Sequence, residues 1–217
     1  MPEVAEQFVF KLDELSERAK QRARGRHREH GIDYNWWEHT YEDAVQAAAC
    51  LGIEIATHTV KLYSGGSRQD PSIWFTGFCS QGDGAMFVGR YSYKADAIDA
   101  ITQHCSDETL KAIADELMLM QITARLSCAC ELRAEITSNS SHYCHSGCMA
   151  VNVTYDDGLL DPPDVPPEAE KSLTDLLRRF ADWIYSQLEQ EYDYLTSDEH
   201  VDERLADDEF DEDGNLI

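Results

Sequence analysis

The stretch AVQAAACLGIEIATHTVKL, Ala44 to Leu62, changes its hydrophobic period part-way along, and that change decides the fold class. Up to Leu51, the residues Trp37, Tyr41, Ala44, Val45, Ala48 and Leu51 recur at steps of three and four, the spacing of one helix face, which predicts a helix over 35–51. Gly52 ends it. Beyond the glycine, Ile53 and Ile55 and then Val60 and Leu62 alternate with polar neighbours, the period of a half-buried strand. A chain that passes from a helical to an extended period across one glycine is α+β.

Toward the N-terminus, Leu12, Leu15, Ala19 and Ala23 predict another helix, capped near Asp13 and closed at Gly31, which suits a left-handed terminus. The two helices read as an N-terminal αα-hairpin. Toward the C-terminus, SGGSRQDP (Ser64 to Pro71) has the composition of a loop, and Ile73 to Tyr93 reads as strand, turn at SQGDG (Ser80 to Gly84), strand. Two helices over 94–121 follow. Alternation then runs from Ile122 through Ala124, Leu126, Cys128, Cys130, Leu132 and Ala134 to Ile136, a long strand returned by Met149 to Tyr155. The Pro- and Asp-rich run from Asp156 to Pro167 is a connector. A long C-terminal helix carries Leu173, Leu176, Leu177, Phe180, Ile184, Leu188, Tyr192 and Leu195 on one stripe.

The expected architecture is a mainly antiparallel sheet of about five strands with helices packed on one face. Residues 1–195 form a single domain, and 196–217 an acidic C-terminal segment, partly mobile at its end.

The 217 residues carry 42 acids and 18 bases, a net charge of −24. Such a charge repels nucleic acid and anionic lipid and attracts basic protein surfaces. No run of about 18 apolar residues and no leader-like start occur, and seven unevenly spaced cysteines fit free thiols, so a cytoplasmic protein that does not enter membranes is expected.

Four sets of residues are candidates for function. Thirteen acids stand between Gln187 and Ile217, and if these residues are helical their charges recur about as often as phosphates along one DNA strand. Glu189, Glu191, Asp193, Asp198, Glu199, Asp202 and Glu203, with Trp74 and Phe78 as aromatic contacts, are the expected partner-binding surface. The predicted hairpin gathers His142, Cys144, His145 and Cys148, residue types that suit zinc. Cys128 and Cys130 fit that site poorly, since two positions on a strand lie about 6.6 Å apart and sulfurs sharing a zinc at most about 4.6 Å.

The SQGDG segment offers Ser80 and Asp83, with His58 or His145, as a hydrolase set. It lacks the first glycine of a nucleophile elbow, however, and suits a hairpin turn. The run RARGRHREH (Arg22 to His30) puts four arginines on the first helix; they divide between two sides and serve as a solvated face, as an internal partner for the acidic tail, or as a nucleic-acid contact.

The segments FKLDELSERAKQRAR (Phe10 to Arg24), IWFTGFCSQGDGAMFVGRYSY (Ile73 to Tyr93), HYCHSGCM (His142 to Met149) and QLEQEYDYLTSDEHV (Gln187 to Val201) together resemble a phage and prophage accessory family that carries the label "antitoxin of toxin–antitoxin stability system". The resemblance implies Trp where this chain has Cys79, and no counterpart of Cys128 and Cys130.

The expected function is therefore binding and neutralising a partner protein with a basic or DNA-binding surface, without a required cofactor. The alternatives are a zinc-binding or hydrolase-type protein built on the 142–148 hairpin, and a nucleic-acid binder through the first helix. A homodimer in which the basic helix of one copy meets the acidic tail of another is also open.

Overall fold

The structure is a computed structural model that describes residues 8–63, 65–128, 130–139, 143–156 and 166–217. It is α+β, with antiparallel strands arranged as one four-stranded sheet and two two-stranded ribbons. Its contacts divide the chain into a smaller unit of residues 1–37 and 189–217 and a larger unit of 38–188. The acidic C-terminal residues thus share a unit with the first helix.

In the larger unit, α2 (Glu38–Leu51) stops where Gly52 takes a φ of 82°, which glycine adopts without strain. The chain then enters three bent strands: β1 (Ile53–Ile55) with β2 (Thr57–Lys61), β3 (Ser67–Pro71) with β4 (Ile73–Phe75), and β5 (Ala85–Phe87) with β6 (Gly89–Tyr91). Each bends at one residue, and the three bend residues close a ring of backbone hydrogen bonds. Ala56 N–H donates to Val88 O at 2.8 Å, Val88 N–H to Ser72 O at 3.0 Å, and Ser72 N–H to Ala56 O at 2.7 Å.

From this ring β2 pairs with β3, β4 with β5, and β1 with β6. The segment Ser67–Pro71, expected as loop, is therefore a strand: Arg68 and Asp70 form an ion pair along it, and the reversal needs only the residues between Lys61 and Ser67. The strand expected over 53–62 is divided at Ala56 between two sheets.

The main sheet runs β1–β6–β7–β8, with β7 at Glu131–Ser138 and β8 at Met149–Asp156. Ile53, Tyr91, Ala134 and Val153 align across it and are all buried. Gly89 is required in β6, because a Cβ there would stand 2.2 Å from the Glu54 carbonyl oxygen.

Two helices follow β6, α3 (Ala97–His104) and α4 (Glu108–Cys128). α4 corrects the expected long strand: residues 122–128 remain helical. Leu110, Ile113, Ala114, Leu117, Gln121 and Ala124 are buried at helical spacing, and the hydroxyls of Thr123 and Ser127 bond back to carbonyls four residues earlier. The apparent alternation of Ile122, Ala124 and Leu126 is accidental. Gln121, fully buried, accepts from Leu132 N–H at 2.9 Å and donates to Leu132 O at 2.7 Å, so its side-chain amide completes β7 where no strand does.

The long helix α5 (Pro167–Thr196) buries Leu173, Leu176, Leu177, Phe180, Ile184 and Leu188 of the stripe expected from sequence, while Tyr192 and Leu195 at its end are half-buried. No helix among the described residues is long and apolar enough to cross a membrane.

In the smaller unit, α1 (Glu17–His30) is capped by Ser16, whose hydroxyl accepts from Ala19 N–H, after a short 3-10 turn at Leu12–Glu14. Gly31 closes α1 at a φ of −97°, not in the left-handed form expected; the His27 ring packs over it, 2.4 Å from where a Cβ would stand, so a larger residue there would displace that ring. Within the smaller unit α1 packs on α6 (Asp198–Leu205), and within the larger unit α2 packs on α3. Leu12, Leu15, Ala19, Ala23, Val201, Leu205 and Phe210 form the small core. Phe10 and Phe210 exchange both backbone hydrogen bonds at 2.9 Å.

Candidate functional site

The acids expected to bind a partner fall into two groups. On α6, Asp198 and Asp202 are matched to bases of the same chain, while Glu199 and Glu203 form no ion pair among the described residues. Arg24, with 12% of its side chain exposed, forks onto Asp202 with both bonds at 2.6 Å and reaches Asp198 at 3.1 Å. Arg28 bonds to Asp198 and to the Thr196 carbonyl, and Arg22 pairs with Asp213 at 2.9 Å. The Lys11 ammonium donates to the carbonyls of Asp207 and Asp208.

The hydrogen bond from Arg24 holds the Asp202 carboxyl below its ordinary pKa, and the same bond raises Arg24. The basic helix and the acidic segment thus meet within one chain, so their pairing needs no second copy. Three of the four arginines once considered for nucleic acid, Arg22, Arg24 and Arg28, already hold carboxylates. Glu199 and Glu203 are exposed on α6.

The second group is different. Glu189, Glu191 and Asp193, on the last turns of α5, take part in no ion pair among the described residues. Tyr192 lies between them and meets Trp36 at 5.6 Å between ring centroids; Trp36 meets Trp37, and Trp37 meets Tyr34, each at 5.8 Å. Tyr34 is 87% exposed, and Asp33 beside it is exposed. This aromatic cluster was not among the expected contacts, although the run YNWW (Tyr34 to Trp37) signalled it by density of rings.

Trp74 and Phe78, which were, are half-buried inside the larger unit: Trp74 stacks on His58 at 5.3 Å, and Phe78 on Phe75 at 5.8 Å and Tyr185 at 5.4 Å.

The 142–148 hairpin is described from Tyr143, and His142 lies outside the described residues. His145 uses Nδ1 to accept Gly147 N–H at 3.1 Å, and its Cβ lies 2.6 Å from where a Cβ on Gly84 would stand, so the SQGDG turn does approach the hairpin. Burial, then the neighbouring Cys148, pushes the Cys144 thiol above its ordinary pKa, which opposes the thiolate that zinc binding requires.

Among the described residues no three His, Cys, Asp or Glu side chains gather as metal ligands. Cys128 ends α4 and Cys130 is buried just before β7, so the two do not alternate along one strand. In the turn itself, Asp83 Oδ2 accepts the N–H groups of Cys79 at 2.9 Å and Ser80 at 2.6 Å, and Gly82 has a φ of 98°. Asp83 therefore shapes the turn. The serine within reach of His58 is Ser72, at 3.4 Å, not Ser80.

Fold and surface define an acidic α+β protein in which carboxylates without an ion pair adjoin a cluster of half-buried aromatic rings that ends in the exposed Tyr34. The chain belongs to the family described as a domain of unknown function, DUF8835, which matches residues 36–198. No curated protein and no solved structure matches it.

Proposed function

We propose that this is an accessory protein of phage or prophage type that acts in the cytoplasm by binding and neutralising a partner protein with a basic surface, in the manner of an antitoxin or a DNA-mimicking inhibitor. The observation that carries the reading is the acid–aromatic surface of Asp33, Tyr34, Trp36, Trp37, Glu189, Glu191, Tyr192 and Asp193. Aromatic rings provide contact area and attract cations by their faces, and carboxylates with no internal base keep their charge for a partner.

Trp36, Trp37 and Glu189 to Asp193 lie within the matched residues 36–198, and Asp33, Tyr34 and Glu199 to Asp213 lie outside them. The ion pairs of Asp198, Asp202 and Asp213 with α1 favour a stabilising role for those acids, and the end of α5 is assigned to binding.

The test is affinity capture from host lysate, comparing the native chain with a Glu189→Lys, Glu191→Lys, Asp193→Lys variant, with and without excess DNA. The expected result is a basic protein held by the native chain and lost from the variant; displacement by DNA would identify its nucleic-acid-binding surface as the one engaged. Equal capture by both chains overturns the assignment. Truncation at Leu195 is the poorer experiment, because it strips Asp198 and Asp202 from Arg24 and Arg28.

A further inference from the structure

The outer side of α4 carries an apolar stripe. Leu119 is 65% exposed, Ile122 45% and Leu126 84%, and steps of three and four put them in one row over two turns. The opposite side of the same helix is buried, so α4 is apolar on both sides, although a surface helix ordinarily turns polar residues outward.

Beside the stripe runs a groove of about 600 Å³ floored by Met120, Ala124, Leu132, Tyr155 and Leu176. Three acids, Glu116, Glu168 and Asp175, line its rim with one base, Arg179, and both Glu116 oxygens accept from Arg179 at 2.7 Å. Arg125, on the far side of the stripe, is paired with Glu131. The rim thus presents negative charge around an apolar floor.

We propose that the stripe and groove dock an amphipathic helix of a partner protein, with large apolar anchors at helical spacing and Lys or Arg on its flanks. An exposed row of branched residues beside a preformed groove is how helices are commonly received, the anchors filling the groove and the flanks meeting the rim. The charge decides between occupants. A second copy would bring the same three rim acids against themselves, on a molecule of net charge −24, whereas a cationic helix matches the rim. The inference rests on the proposed function for the sign of the partner's charge, and its residues are separate from Glu189 to Asp193.

The probe is a short fluorescent synthetic helix with leucines at every third and fourth position and lysines on its flanks, titrated by anisotropy against the native chain. Controls are a scrambled peptide and one with glutamates on the flanks. Saturable binding is expected, at least about tenfold weaker for Leu119→Asp and for Leu126→Asp and weaker for the glutamate peptide. It should be unchanged for the 189/191/193 charge reversal, so loss of lysate capture by that variant with peptide binding intact separates the two readings. Both leucines are exposed, and circular dichroism checks that the variants fold. Equal binding of the scrambled peptide, or no loss in the leucine variants, overturns the proposal. A native chain that sediments as a dimer made monomeric by Leu126→Asp also overturns it, by assigning the stripe to self-association.

Discussion

The two units are held by different forces. The larger one buries Phe87, Phe180, Tyr91, Ile101, Leu110, Ile113, Leu132 and Ile136 in an apolar interior in which the fully buried Gln121 is bonded to Tyr91 and Leu132. The smaller one has a thin core and adds a row of ion pairs between α1 and the acidic C-terminal residues. Apolar burial is not weakened by charge screening or mild acid, and ion pairs are weakened by both. The same family of side chains therefore serves two ends: Asp198 and Asp202 stabilise, while Glu189 and Asp193 stay available.

The largest effect that sharpens this contrast is Phe180→Ala. Phe180 has no exposure and meets Phe87 edge-on at 5.6 Å, so its removal should cost about 3–5 kcal/mol in denaturant unfolding. Next is Gln121→Leu, which leaves the Leu132 N–H and carbonyl without a partner and should cost about 2–4 kcal/mol; a near-neutral result would show that water replaces the amide.

In the smaller unit, Asp202→Asn should cost about 1–2 kcal/mol, discounted for the partial exposure of the carboxylate and diminishing as salt is added. Hydrogen exchange should show that loss in α1 and α6 and not in β7. An equal loss in β7 would break the comparison.

The pH response should divide in the same way. Burial chiefly, with Arg204 and His200 adding to it, lowers the pKa of His27, so the fold favours its neutral form. That contribution is complete above about 6.5 and is lost as pH falls through the lowered value. Asp202, also lowered, loses its contribution further down, below about 3.9.

On the alkaline side, burial raises Tyr41 and pushes Tyr91 up to about 12. Their contribution is present below about 10 and is lost as pH rises through the raised values. Exchange from α1 should rise first in acid, and exchange from β6 and β7 first in alkali. The smallest effect is that of Leu126→Ser on stability, within about 0.5 kcal/mol, since the side chain is exposed.

Much of the larger unit was legible because its signals are local. Gly52 stops α2 and starts β1, and the α5 stripe from Leu173 to Leu188 faces the core as its spacing implies. The errors arose where one pattern fits two periods. Ile122, Ala124 and Leu126 alternate, and they also belong to a helix whose other residues continue past Gln121. SGGSRQDP has the composition of a loop, yet Ser67–Pro71 pairs along β2 because the partner strand supplies what its own residues do not. Of the metal set, His142 lies outside the described residues, and no three described His, Cys, Asp or Glu side chains gather as ligands; of the hydrolase set, His58 meets Ser72 while His145 lies against the SQGDG turn at Gly84.

By itself the sequence determined the charge, the α+β class, the apolar faces of α2 and α5, and the presence of a concentrated acidic end, since composition and periodicity are properties of neighbouring residues. Which acids are neutralised, where the strands bend, and which apolar residues remain on the surface were decided by tertiary structure. Arg24 and Asp202 are 178 positions apart, and Ala56, Ser72 and Val88 come from three separate strands, so no window along the chain contains those contacts.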